Sequence, residues 1–179
     1  MKTYIALLRG INVSGKNKIP MADLRAMLTD MGLNSVKTYI QSGNVVFQSK
    51  EDKTAILEAS IKENIKSAFG FEVPVLVKTK TELEVIFKSN PYTDSDAIKK
   101  KQVYFVLLKN PAERELVKAF HSEKYATEDF KITDDCVYLL CKIGYGKAKL
   151  NNNLIERKLK VEATTRNYNT MVKLLDMSS

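Results

Sequence analysis

From Tyr4 to Leu8 the chain is apolar at every position, so both alternating faces of this run are hydrophobic. That pattern predicts a central strand covered on both sides. A polar loop follows, and then Met21, Leu24, Leu28 and Met31 fall at helical spacing between Pro20 and Gly32, predicting an amphipathic helix over 20–31. Val36 to Ile40 and Val45 to Gln48 read as two strands, joined at Gln41-Ser42-Gly43-Asn44, where glycine and asparagine accept positive φ. Leu57, Ile61, Ile65 and Ala68 predict a second helix near 52–69, stopped by Gly70, and Val73 to Lys78 a closing strand. The order is βαββαβ, the split unit of ferredoxin-like folds.

Thr81 and Glu84 have the spacing of a capping box for a short helix ending at Asn90-Pro91. The polar run Tyr92 to Lys101 reads as a linker. Beyond it the cadence begins again, because Tyr104-Phe105-Val106-Leu107-Leu108 repeats Tyr4-Ile5-Ala6-Leu7-Leu8. A helix through Leu116, Val117 and Phe120, a hairpin across Asp134-Asp135, a helix through Leu150, Leu154, Ile155 and Leu159, a short strand at 161–164 and a terminal helix complete a second βαββαβ series. The expected fold is therefore α+β: two tandem ferredoxin-like (α/β plait) halves, 1–91 and 92–179, packed together.

A chain of 179 residues with 44% hydrophobic side chains has material for a substantial core, which excludes fibrous and disordered classes. Cys136 and Cys141 stand an odd number of residues apart in one strand and so project to opposite faces, which rules out a disulfide between them. Two thiols in an apolar strand, with no secretory leader and no long apolar span, point to a cytoplasmic protein away from the membrane. His, Cys and carboxylates show no ligand spacing, so neither a metal nor another cofactor is expected. His121 reads as a helix C-terminal cap, and Asp134-Asp135 as a turn.

Charge is what brings function into the picture. The net charge is +8, and it is concentrated in two stretches. Arg9, Lys16 and Lys18 share an acid-free loop, and residues 142–173 carry eight bases against Glu156 and Glu162. Such patches suit phosphate or nucleic acid, while a plain solvated surface is the alternative.

Gly10-Ile11-Asn12-Val13-Ser14-Gly15-Lys16-Asn17 nearly spells the phosphate-cradling GxxxxGK[ST] loop. It departs from it in two respects: Asn17 replaces the magnesium-binding hydroxyl, and Pro20 delays the helix. A looser anion-binding loop and a structural connection are the two readings left. Arg166-Asn167-Tyr168 reads as the opening of the terminal helix, where backbone donors favour an anion and Arg166 would add a guanidinium fork, unless Asn167 simply caps the helix. The basic, glycine-bearing stretch Gly144 to Asn153, with Lys147 and Lys149, is long for a connection. Tyr4 and Tyr104 occupy first-strand positions from which an RNA-binding sheet stacks on bases, provided that face is open.

Three stretches also resemble the signatures of a bacterial family, the domain of unknown function 1697. They are Tyr4 to Asn17, Thr38 to Phe47 (Thr-Tyr-Ile-Gln-Ser-Gly-Asn-Val-Val-Phe), and Ala163 to Thr170 (Ala-Thr-Thr-Arg-Asn-Tyr-Asn-Thr). Ser14 stands where the family usually has glycine, and Tyr168 where it usually has tryptophan. The resemblance implies a tandem ferredoxin-like architecture and no established reaction or partner.

Its signatures fall on polar, glycine-bearing places. They frame the expectation of a basic cleft between the halves, binding an anionic ligand through Arg9, Asn12, Lys16, Lys147, Lys149, Arg166 and Asn167, with Gln41, Ser42 and Asn44 as neutral partners. The expected ligand is a phosphorylated small molecule or a nucleic acid. An enzyme acting on a phosphate or acyl group by electrostatic positioning, and a scaffold without ligand, are the alternatives. The sequence leaves the oligomeric state open.

Overall fold

The computed structural model describes all residues, 1–179. The protein is α+β, with two four-stranded antiparallel sheets and seven α-helices. It divides into two compact units, Met1–Glu84 with Lys173–Ser179, and Val85–Val172.

The first unit runs β1 (Lys2–Leu8), α1 (Met21–Asp30), β2 (Asn34–Tyr39), β3 (Asn44–Ser49), α2 (Thr54–Phe69) and β4 (Val75–Thr79). Its strands lie in the order β2-β3-β1-β4. Tyr4, Ala6 and Leu8 of β1 join Leu24 and Leu28 of α1 and Leu57, Ile61 and Ile65 of α2 in one core, so both helices cover the same face of the sheet. Ile5 and Leu7 point the other way and are equally buried, as the all-apolar run predicts. The edge strand β4 is protected by a side chain: the Val77 amide donates to Glu58 Oε1 from α2 (2.9 Å), which occupies a group that would otherwise invite another strand.

Next come α3 (Lys80–Lys88) and α4 (Ser95–Lys99). The capping box of α3 lies two residues before the predicted one. Glu82 N–H donates to Thr79 Oγ1 (3.2 Å) and Thr79 N–H to Glu82 Oε2 (2.7 Å), because β4 ends at Thr79 and the helix must start there. The presumed linker also contains α4, whose N-cap Asp94 accepts from the Ala97 amide at 2.8 Å.

The second unit repeats the scheme with β5 (Val103–Leu108), α5 (Arg114–His121), β6 (Glu128–Ile132), β7 (Cys136–Cys141), α6 (Asn152–Leu159) and β8 (Ala163–Asn167), before α7 (Tyr168–Met177). Its strand order is β6-β7-β5-β8. The likeness of the two sheets extends to register. Ile5 faces Lys78 and Phe105 faces Arg166, while Leu7 faces Asn44 and Leu107 faces Cys136. Loop hydrogen bonds match as well: Leu8 N–H donates to Gly43 O and Leu108 N–H to Asp135 O, both at 2.8 Å. Cys136 and Cys141 are buried and form no disulfide, and burial pushes the Cys141 thiol up to about 12, which makes it an inert packing group at neutral pH. No helix is long and apolar enough to cross a membrane.

Candidate functional site

Two of the three signature stretches meet at one end of the first unit. The loop after β1 is unusually rich in left-handed residues, with Gly10, Asn12, Ser14, Gly15 and Asn17 all at φ between 48° and 75°. Ser14 and Gly15 are adjacent with φ of 49° and 75°, the sign pattern of a type I′ turn, and a bridge between Val13 and Lys16 closes it. The segment is thus a miniature hairpin. It is not a phosphate loop running into a helix, since α1 begins only at Met21.

Asn12 holds this hairpin in place. Its Nδ2 donates to Ile19 O (3.0 Å) and Gln41 O (2.8 Å), and its Oδ1 accepts from Ile19 N–H (2.9 Å). Asparagine suits the post because it tolerates the left-handed region and carries both donor and acceptor. Asn17 adds a bond from Nδ2 to Gly10 O (3.1 Å). Asn12 therefore tethers the β1–α1 loop to the β2–β3 turn, and its amide is committed to the fold. Replacing Asn12 by Ala should cost about 2 kcal/mol, from two unsatisfied carbonyls and a left-handed alanine, against about 1 kcal/mol for Asn17→Ala. Urea unfolding of both variants measures this, and equal costs would disprove the tether.

The facing turn is built in a similar way. Asn44 is fully buried, and its Nδ2 donates to Tyr39 O (3.1 Å) and Ser42 Oγ (2.9 Å), so it organises the turn from within. Ile40 sits at φ 50° and is exposed, an uncommon conformation for a β-branched residue. Gln41 and Ser42 are exposed beside it. Arg9 is half-buried where the loop leaves the sheet, its amide donating to Pro74 O (3.1 Å), and Lys16 and Lys18 are exposed. Of the residues singled out in this unit, Arg9, Lys16, Gln41 and Ser42 reach the surface of the loop end, while Asn12 and Asn44 are its framework.

In the second unit, Arg166 departs from the expected position. It lies in β8 rather than at a helix start, because the strand continues through Asn167 to pair with Tyr104 and Phe105. Its Nη1 donates to Thr165 O (2.9 Å), and burial lowers its guanidinium to about 10, which leaves it charged at neutral pH. Lys78 holds the equivalent register position in the first sheet and is buried, whereas Arg166 is half-buried. Each half thus carries a base at the same register position. Asn167 caps α7, its Oδ1 accepting from Thr170 N–H at 2.8 Å.

Lys147 and Lys149 are exposed on the stretch before α6, where Tyr145–Lys147 forms a 3-10 turn. This stretch is pinned by the Lys149 amide donating to Glu128 and by a polar network that sequence reasoning missed. Tyr145 Oη accepts from Asn152 N–H (3.0 Å) and donates to Thr165 Oγ1 (3.3 Å), while Thr165 Oγ1 donates to Asn152 Oδ1 (2.7 Å). The tyrosine ring stacks on Tyr104 with centroids 4.7 Å apart.

That stacking, with the burial of Tyr4 against Phe47, closes the route to a base-stacking sheet. Tyr4 is wholly buried and its hydroxyl donates to Glu51 O at 2.6 Å. Both first-strand tyrosines are structural.

A family described as "Protein of unknown function (DUF1697)" matches residues 1–138 of the chain. The chain belongs to this family. The match takes in both signature stretches that meet at the loop end, the hairpin after β1 and the turn before β3. Among solved structures, the conserved bacterial protein SP0830 from Streptococcus pneumoniae is similar at 24% identity, with 99% of each chain covered and a TM-score of 0.74. At that identity the likeness speaks for the fold alone. No curated protein matches the chain.

Proposed function

We propose that the loop end of the first unit, formed by Arg9, Lys16 and Lys18 with Gln41 and Ser42 beside them, binds a phosphate-bearing anion. The observation that carries this reading is the fixed geometry of an acid-free, triply basic loop. Asn12 ties it to the neighbouring turn, and left-handed residues hold its shape. Such a loop needs no backbone ordering on binding, which removes part of the usual entropic cost. The positive φ values at Gly10, Asn12 and Ser14 alternate with other residues, the sign pattern from which backbone anion-binding nests are made. Lys147 and Lys149 offer a second exposed basic stretch, on the other unit.

The architecture supports the same reading at the level of fold. Two βαββαβ series, each with the strand order that places the first strand between the third and the fourth, are what ferredoxin-like plaits consist of. In such sheets function commonly resides in loops carried on a rigid scaffold.

The test is binding of tripolyphosphate and of a short single-stranded RNA to the intact protein and to a Lys16→Gln/Lys18→Gln variant. Binding should weaken about tenfold in the variant, with its melting temperature in the absence of ligand unchanged. With RNA, three phosphate contacts should give a slope of log K against log salt of about −2. A steep salt slope with no tripolyphosphate response would assign the loop to nucleic acid. No response to either probe would defeat the proposal.

A further inference from the structure

On the helical face of the first unit, α1 and α2 leave a groove of about 560 Å3 between them. Its floor is apolar: Met27 of α1, Met31 at the C-cap of α1 and Phe69 of α2 pack on the core with part of their surface and line the groove with the rest. Its rim is acidic, from Asp23 and Asp30, and Asn64 is the polar residue contributed by α2. Both aspartates are exposed and take part in no ion pair. No base lines the groove, although the chain as a whole carries +8.

We infer that this groove receives a basic amphipathic helix from a partner protein. Three features select that occupant. The thioether side chains adapt to varied apolar anchors, the use to which methionine-lined helix-binding grooves are put. Asp23 and Asp30 are seven residues apart on one helix, so their carboxylates are about 10 Å apart along its axis, two turns, which matches bases at i and i+7 of a bound helix. Apolar side chains between those bases then face Met27 and Met31. The local negative charge on a basic protein steers a cationic partner here and turns an acidic one away.

The experiment titrates the intact protein against a fluorescein-labelled helix-forming peptide of about 14 residues, with lysines seven apart and leucines between them, following anisotropy. A control peptide has glutamate in place of both lysines. Saturable binding of the basic peptide is expected, weakened about fivefold in D23N/D30N and lost in Met27→Glu, with each variant's circular dichroism spectrum unchanged. Equal binding of both peptides, or binding indifferent to D23N/D30N, would overturn the inference. So would sedimentation showing a dimer that Met27→Glu dissolves while neither peptide binds, since the groove would then belong to a second copy of the chain.

Discussion

Replacing Gly43 by Ala is expected to lower stability by about 4 kcal/mol, roughly 10 °C in melting temperature for a chain of this size. Two independent costs add. Gly43 lies at φ +83°, where an L side chain is strained by about 1 kcal/mol or more. A Cβ built there would also stand 2.5 Å from Leu8 Cβ, 3.1 Å from Ile11 Cδ1 and 3.2 Å from Leu8 O. Those neighbours have little room to give. Leu8 is fully buried in the central strand, and its amide donates to Gly43 O at 2.8 Å, so moving the turn away breaks the contact that sets its position. Gly32→Ala is the control, because Gly32 has φ +87° but no atom within 4 Å of the added carbon. It should lose only the backbone share, about 1 kcal/mol. Thermal and urea unfolding of both variants decide the matter, and near-equal losses would mean that the close approach at Leu8 is unimportant. Because Gly43 supports the turn that receives the Asn12 tether, its replacement should also loosen the proposed anion site, which a smaller tripolyphosphate response would reveal.

How much of this was legible in the chain depends on how far apart the deciding partners lie. The central strands announce themselves, since Tyr4 to Leu8 and Phe105 to Leu108 are apolar on both faces and are buried on both. The repeat was legible for the same reason, and the register adds that Lys78 and Arg166 are counterparts, which no local pattern shows. Short elements were harder. A helix of five residues such as α4 buries only Ala97, so it leaves no periodic trace in a polar run. The sequence pattern ends the last strand at Thr164 because Thr165, Arg166 and Asn167 have no apolar alternation, whereas β8 runs on to Asn167. Their extension is imposed by pairing with β5, a partner about sixty residues away. Two Thr-x-x-Glu frames overlap at Thr79 and Thr81, and only the end of β4 chooses between them. Asn12 and Asn44 look like ligand donors in sequence, yet Asn12 spends its amide on the Gln41 and Ile19 carbonyls and Asn44 spends its own on Tyr39 and Ser42.

Phe105→Ala is expected to cost about 4 kcal/mol, comparable to Gly43→Ala but by a different route. Phe105 is fully buried at the middle of β5, stacked on Phe87 with centroids 5.8 Å apart and meeting Tyr138 edge-on at 5.7 Å, with Tyr168 at 6.4 Å. Truncation removes a ring from the centre of this aromatic group, and collapse around the void is resisted on each side. The β5 backbone is hydrogen-bonded to β7 and β8, and Tyr138 is held by its hydroxyl, which donates to Ile86 O at 2.8 Å. A cavity that cannot relax carries its full penalty, whereas Phe105→Leu retains most of the volume and should lose about 1.5 kcal/mol. Tyr138→Phe probes the clamp alone: it keeps the ring and leaves the Ile86 carbonyl without its donor, for about 1 to 2 kcal/mol. Added to Phe105→Ala, it should cost less than it does by itself, because a released Tyr138 ring can turn into the void and recover part of the packing. Urea unfolding of the two single variants and the double variant measures that coupling. Strict additivity would show that the aromatic group relaxes freely and that the hydroxyl does not hold it open.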